Sequence, residues 1–309
     1  MFDMKNKPKI LESNSLYLVI AFILLTVGSI AQSKDIFIGL LITEYIIVLL
    51  PILIFLKIRG YKIKKVLKLN KISLKESLLI PLITLSFYPI AAFFNALIMI
   101  LISLFGELNP PPLPQPTSGG NFLIGLFIIA ISPGICEEIM FRGFIMKSYE
   151  HKGYKKAILI SGILFGIFHF NFQNLMGPLL LGILFGFLVY KTNSLYASII
   201  AHTTNNAFAW TISYIFTNLG TSMESTSELT SDISQTTSLV MGTLALGAIA
   251  SVTGLIAYYL YKKLPDRNKF KEVDESLEKQ EIEKRGLLKY IPLIIVIIGY
   301  IVSTVIMFK

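Results

Sequence analysis

Nine apolar runs, separated by shorter polar or charged intervals, organise the chain. They fall at about Ser15–Ala31, Ile36–Leu56, Leu78–Phe105, Phe122–Lys147, Ala157–Phe170, Leu175–Tyr190, Leu195–Phe216, Ser238–Tyr261 and Tyr290–Phe308. Most approach the roughly 20 residues that carry an α-helix across a bilayer. Ten-residue stretches of alternating polarity, the mark of an outer-membrane barrel, do not occur. The pattern predicts an all-α fold, a polytopic transmembrane helical bundle of about nine spans, with eight as the alternative. No small-residue cleavage site follows the first run, so it reads as a retained span. No internal repeat is visible, so the inverted-repeat logic of transporters gains nothing.

Composition agrees with the pattern. Hydrophobic residues make up 54% of the 309 positions and charged residues 15%, with a mean hydropathy of +0.68. The single cysteine, Cys136, excludes an intrachain disulfide and a cysteine-based zinc cluster. The net charge of +9 is not a nucleic-acid signal, because it concentrates between spans. From Lys57 to Lys75 there are eight Lys or Arg and no acid, which reads as a cytoplasmic anchor to anionic membrane lipid. The loops after spans two, four, six and eight carry Lys or Arg, and those after spans three and seven carry none. The positive-inside rule then puts the N-terminus in the cytoplasm and the C-terminus outside.

The chain divides into three parts. Residues 1–121 hold spans one to three, the basic loop and a proline-rich outer connector. Residues 122–216 hold spans four to seven. Residues 217–309 hold the last two spans, a Ser/Thr-rich loop and a mixed-charge cytoplasmic linker, where Glu275/Lys279 and Glu281/Arg285 suit a solvated helix. The abundance of Lys, Ile and Asn points to the plasma membrane of a low-GC microbe.

Polar residues inside the runs carry the chemistry. Span four contains Glu137, Glu138 and Arg142, and an ionisable residue within a span is a functional candidate by default. Glu138 and Arg142 are four apart and share a helix face, so they can pair. Glu137 is rotated about 100° from Glu138 and has no cation one turn away. Pro133, one turn earlier, removes a helix hydrogen bond and predicts a kink. His169 and His202 fall within other apolar runs. Phe165 shares a face with His169, and Asn206 shares a face with His202. At about 1.5 Å per residue, Glu137, His169 and His202 lie roughly 15, 19 and 10 Å from the cytoplasmic ends of their spans. Ordinary tilts let them meet in the inner half of the bilayer. Glu44 and Asn95, mid-span, either hydrogen-bond across the bundle or line the cavity, and Gly162, Gly166, Gly182 and Gly186 are spaced to let spans five and six approach neighbours closely.

Three motifs, Glu137-Glu138-x-x-x-Arg142, Phe165-x-x-x-His169 and His202-x-x-x-Asn206, resemble those of the CAAX-protease and bacteriocin-processing family, also called Abi proteins. This group of intramembrane peptidases includes the prenyl-protein CAAX endopeptidase. The resemblance covers about Phe122 to Phe216. It implies a conical active-site cavity open to the cytoplasmic side, and hydrolysis of a membrane-anchored peptide or small membrane protein without a covalent intermediate. Carried over, Glu137 is the general base for water and His169 positions that water. His202 and Asn206 bind the oxyanion, while Glu138, Arg142 and Phe165 support the site. No cofactor is expected. The alternative chemistry is a zinc or other divalent metal held by Glu137, His169 and His202, although no His-Glu-x-x-His motif is present. Cys136 as nucleophile is disfavoured by the carboxylate beside it. The reading from a different class is a non-enzymatic immunity or regulatory scaffold.

Overall fold

The computed structural model describes residues 7–104, 114–220, 235–267 and 286–307. The Glu275/Lys279 and Glu281/Arg285 pairs, and much of the proline-rich and Ser/Thr-rich loops, lie outside these residues. Among the described residues, nine long helices match the nine apolar runs: α1 Ile10–Lys34, α2 Ile36–Ile58, α3 Leu74–Ser103, α4 Gly119–Lys152, α5 Tyr154–Phe168, α6 Met176–Thr192, α7 Leu195–Gly220, α8 Gln235–Lys262 and α9 Ile291–Met307. The result is the polytopic helical bundle that the hydropathy pattern predicts. α1, α2, α3, α4 and α8, and α9 together with the short turn that leads into it (Leu287–Ile306), are each long and apolar enough to cross a membrane. The polar residues of α7 lower its hydropathy, and α5 and α6 are too short to qualify.

Local signals set the boundaries. Ser73 caps α3, accepting from the Glu76 N–H, while Glu76 reaches back to the Ser73 N–H at 2.6 Å. Ser118 caps α4 through the Asn121 N–H. The α4–α5 turn passes through Gly153 at φ 92°, and α6 ends at Asn193 in the left-handed region. α5 and α6 rise only about 22 and 25 Å, against a hydrocarbon core of roughly 30 Å. Neither crosses that thickness alone, and polar backbone of a turn at membrane depth must be paired or line a wet cavity. Asn95 of α3 pairs it, donating to the Gln173 carbonyl at 2.9 Å and accepting from the Gly177 N–H.

Two apolar cores hold the bundle. One joins α1, α2, α4 and α5 around Tyr17, Val48, Phe141, Phe144 and Phe168; the other joins α3, α6 and α7 around Ile80, Ile83, Phe185 and Ala201. The four glycines noted above do let α5 and α6 close up. A Cβ on Gly162 would meet the Ile183 backbone N at 3.1 Å, and one on Gly182 would meet the Gly162 Cα at 3.0 Å.

The basic loop segments gather at one end of the bundle. Lys68 pairs with Glu150 beyond the core of α4, the Leu195 N–H donates to Lys68 O, and Arg267 after α8 pairs with Glu76 and donates to Lys71 O. Arg59 reaches Glu12 at the start of α1, and Asn14 donates to Lys289 O at the start of α9. The loops that the Lys/Arg count assigns to one side are thus neighbours in space.

Candidate active site

α4 is built to present its polar residues inward. Pro133 has no N–H to offer the carbonyl one turn back, on Ile129. Instead of breaking, the helix runs on and absorbs the defect in widened turns at Leu126–Ile131 and Ile139–Ile145, on either side of Ser132–Glu138. Asn206 of α7 donates its amide N–H to the Ile129 carbonyl at 3.0 Å. Small residues let α7 approach that closely. A Cβ on Gly134 would fall 2.3 Å from Thr203 Oγ1 and 3.1 Å from its backbone N, and one on Gly125 would strike the Trp210 ring. Trp210 Nε1 donates to Phe122 O, extending the seam outward.

The two adjacent carboxylates have different surroundings. Glu138 is fully buried; one of its oxygens, Oε1, accepts from Arg142 Nη1 at 2.6 Å and from His202 Nδ1 at 2.9 Å. Among the described residues, Glu137 has no cation at hydrogen-bond distance. Among them, the basic side chain within 4 Å of it is His202, whose Nε2 stands 3.8 Å from Glu137 Oε2. That separation exceeds a direct hydrogen bond, and a water beside the pair can touch both atoms. The tautomer follows from the partner: an ionised carboxylate only accepts, so His202 carries a proton on Nδ1.

Aromatic rings hold these charges in place. Phe165 lies between the two histidines, with ring centroids 5.1 Å from His169 and 5.5 Å from His202. Phe185 stacks on His202 at 5.3 Å. The Arg142 guanidinium sits 4.4 Å from the Phe165 ring centre and 5.3 Å from that of Phe185, a desolvated cation–π contact. Phe165 belongs to one apolar core and Phe185 to the other, so the site occupies their junction.

His169 is placed differently from the expectation. It does not lie inside a span, because α5 stops at Phe168 and His169 is its C-terminal cap. The structure leaves it exposed, with Nδ1 at 2.9 Å from Phe165 O. A carbonyl only accepts, so Nδ1 donates and a neutral ring offers the Nε2 lone pair. Glu137, Glu138, Arg142 and His202 are brought together directly. His169 joins them through Phe165, and Asn206 joins through the α4–α7 seam. Among the described residues, no group of three His, Cys, Asp or Glu side chains is arranged to hold a metal ion. Cys136 is a free, buried thiol that packs in the core.

Three neighbours of the site carry no motif. Phe185 reads as one more apolar residue in a run. Thr203 sits beside His202 but reads as a helix filler. Glu44 of α2, to which sequence reasoning gave no single role, is only 4% exposed and sits in the Ile42–Leu49 segment that packs against Ser132–Glu138. A mid-span carboxyl was the available signal for Glu44; nothing local marks the other two.

This arrangement defines a polytopic membrane protein with a buried cluster of carboxylates, histidines and one arginine at the meeting point of α4, α5, α6 and α7. Residues 119–208 match the family model described as "Type II CAAX prenyl endopeptidase Rce1-like". This segment is similar to the CAAX-protease and bacteriocin-processing family. It is 34% identical over 84 residues to the protein named "Putative membrane peptidase YdiL" of Bacillus subtilis (strain 168), a match spanning 27% of this chain and 34% of that one. It is also 34% identical over 83 residues to "UPF0177 protein YxdF" of Lactococcus lactis subsp. lactis (strain IL1403), covering 26% of this chain and 46% of that one. The chain thus covers under half the length of either relative. No solved structure matches it.

Proposed function

We propose that the chain is an intramembrane endopeptidase that cleaves a membrane-anchored peptide or small membrane protein with water activated by Glu137. The observation that supports this most is the asymmetry of the carboxylate pair. Arg142 and His202 Nδ1 both turn to Glu138, while Glu137 is held beside His202 Nε2 without a cation of its own. A bundle that needed only structural neutrality would have no use for the second acid, since a buried unpaired charge is costly. In this reading Glu137 takes a proton from water and His169 holds that water through Nε2. His202 and the second amide N–H of Asn206 hydrogen-bond the developing oxyanion.

The substrate must present extended backbone, because a helical peptide bond is already hydrogen-bonded and shielded. Cleavage is therefore expected near the cytoplasmic boundary of the substrate, at a residue followed by a short or flexible tail. Orientation follows the charges: the end carrying the 57–75 loop faces the cytoplasm and anionic lipid. The test is Glu137→Gln in reconstituted bilayers, which should abolish cleavage while the protein stays folded. Retained cleavage would remove Glu137 from the chemistry.

A further inference from the structure

Asn205 lies next to Asn206 on α7 and belongs to none of the three motifs. Side chains of adjacent helical residues point about 100° apart and do not normally face each other. Here they are joined: Asn205 Nδ2 donates to Asn206 Oδ1 at 3.0 Å, and Asn206 Nδ2 donates to the Ile129 carbonyl at 3.0 Å. The direction of this relay is set at its far end. Pro133 has no N–H for the Ile129 carbonyl, and a carbonyl only accepts. Asn206 must therefore turn its NH2 toward Ile129 and its oxygen away. That oxygen takes a donor, so Asn205 presents its own NH2 in turn. Asn205 is 8% exposed, and Asn206 beside it is half-buried. The orientation leaves Asn205 Oδ1 a buried acceptor with no hydrogen-bond partner among the described residues. Turning the Asn205 amide over would set oxygen against oxygen. An unmet buried acceptor costs free energy, and such groups call for an explanation. Packing does not supply one. Asn205 is one turn from Ala201, in the core that joins α3, α6 and α7, where an apolar side chain would pack with no unmet group.

We propose that Asn205 is a positioning residue that locks the side-chain amide of Asn206, with one N–H on Ile129 and the other directed to the site. Its consequence for catalysis rests on the peptidase reading; the contact and its direction do not. In that reading the second N–H of Asn206 meets the oxyanion. An Asn206 amide turned over would offer its oxygen there, and an acceptor facing a developing negative charge repels it. Asn205 opposes that rotation, because the turned-over amide would set N–H against N–H. The unmet acceptor on Asn205 is thus the cost of keeping a donor aimed at the reacting atoms.

The experiment uses the full chain in lipid nanodiscs as wild type, Asn205→Leu, Asn206→Leu and the double variant. Thermal unfolding is the first arm. In the wild-type background Asn205→Leu removes one hydrogen bond and one unmet acceptor together, so Tm should stay within about 3 °C. In the Asn206→Leu background Asn205 has lost its own acceptor as well, so Asn205→Leu should raise Tm by roughly 4 °C or more. The same shift in both backgrounds would overturn the contact, and Asn205→Ala repeats the cycle without added bulk. Turnover of a fluorogenic peptide, anchored in the bilayer by an N-terminal palmitoyl chain, is the second arm. Asn205→Leu should lower kcat about tenfold with KM little changed, a part of the roughly 10²–10³-fold lost with a whole oxyanion donor. On top of Asn206→Leu it should add less than about twofold, because it acts through Asn206. An unaltered kcat, or the full tenfold loss in the Asn206→Leu background, would overturn the positioning role. A wild-type protein that cleaves nothing while the Tm shift still depends on the background would count against the peptidase reading and leave the contact standing.

Discussion

Removing Arg142 should damage the fold more than removing the carboxylate assigned to the chemistry. Arg142 is among the largest fully buried side chains, and both members of its ion pair with Glu138 have no exposed side-chain surface. Arg142→Ala leaves Glu138 buried with His202 as its remaining donor, a loss of about 3–5 kcal/mol when one partner of a buried pair is deleted. It also removes the guanidinium from between Phe165 and Phe185, a desolvated cation–π contact that contributes up to about 2 kcal/mol. Glu137→Gln strands no cation and keeps the side-chain shape, so it should fall within the roughly ±1 kcal/mol of a mild substitution. The assay is thermal unfolding of purified variants in lipid nanodiscs, followed by loss of monodisperse protein on heating. Arg142→Ala and Glu138→Ala should each lower Tm by roughly 10 °C or more, while Glu137→Gln stays near the wild type. The double variant Glu138→Gln/Arg142→Met should be less damaged than the sum of its parts, since no lone charge remains. Equal stability at all three positions would refute the division of labour between the two carboxylates.

Three further outcomes follow from the same geometry. Asn206→Leu should cost about 1–3 kcal/mol by orphaning the Ile129 carbonyl, and the cost should shrink in a Pro133→Ala background, where the new N–H can take that carbonyl; equal costs in both backgrounds would show that Asn206 acts elsewhere. Gly134→Ala should cost about 1–3 kcal/mol by pushing Thr203 of α7 away from α4, with peptidase activity falling as the His202 contact loosens; a neutral effect on unfolding would contradict the seam. Cysteine tags placed in the 57–75 loop should be labelled only from the cytoplasmic side and tags at residues 114–118 only from outside, and external labelling of the basic loop would invert the topology.

Much of the bundle was readable because lipid imposes a coarse rule: each apolar run becomes a helix, and the runs and helices coincide. The helix end at Phe168, just before His169, was not readable, because the apolar run continues to Phe170 without a local stop signal. The Asn95 contacts that satisfy the α5–α6 turn come from a helix more than 70 residues away in sequence. The Glu138–Arg142 pair was legible from helix spacing alone, being a contact within one turn. The sharing of Glu138 between Arg142 and His202 was not, since it depends on the approach of α7 at Gly134. Pro133 announced a defect in α4 but not its remedy, which lies on α7 at Asn206. Phe185 stayed invisible because it looks like any apolar residue, whereas Glu44 was a visible mid-span carboxyl to which the sequence alone gave no single role.

The central claim is that Glu137 activates water to cut a membrane-anchored substrate. It is tested most directly by comparing the peptides released from membranes that contain the wild-type protein with those from membranes that contain Glu137→Ala, with cut sites mapped by mass spectrometry with and without a chelator. The account predicts fragments with termini near the cytoplasmic boundary that vanish in Glu137→Ala and persist under chelation. Identical peptide profiles from the two membranes would contradict it.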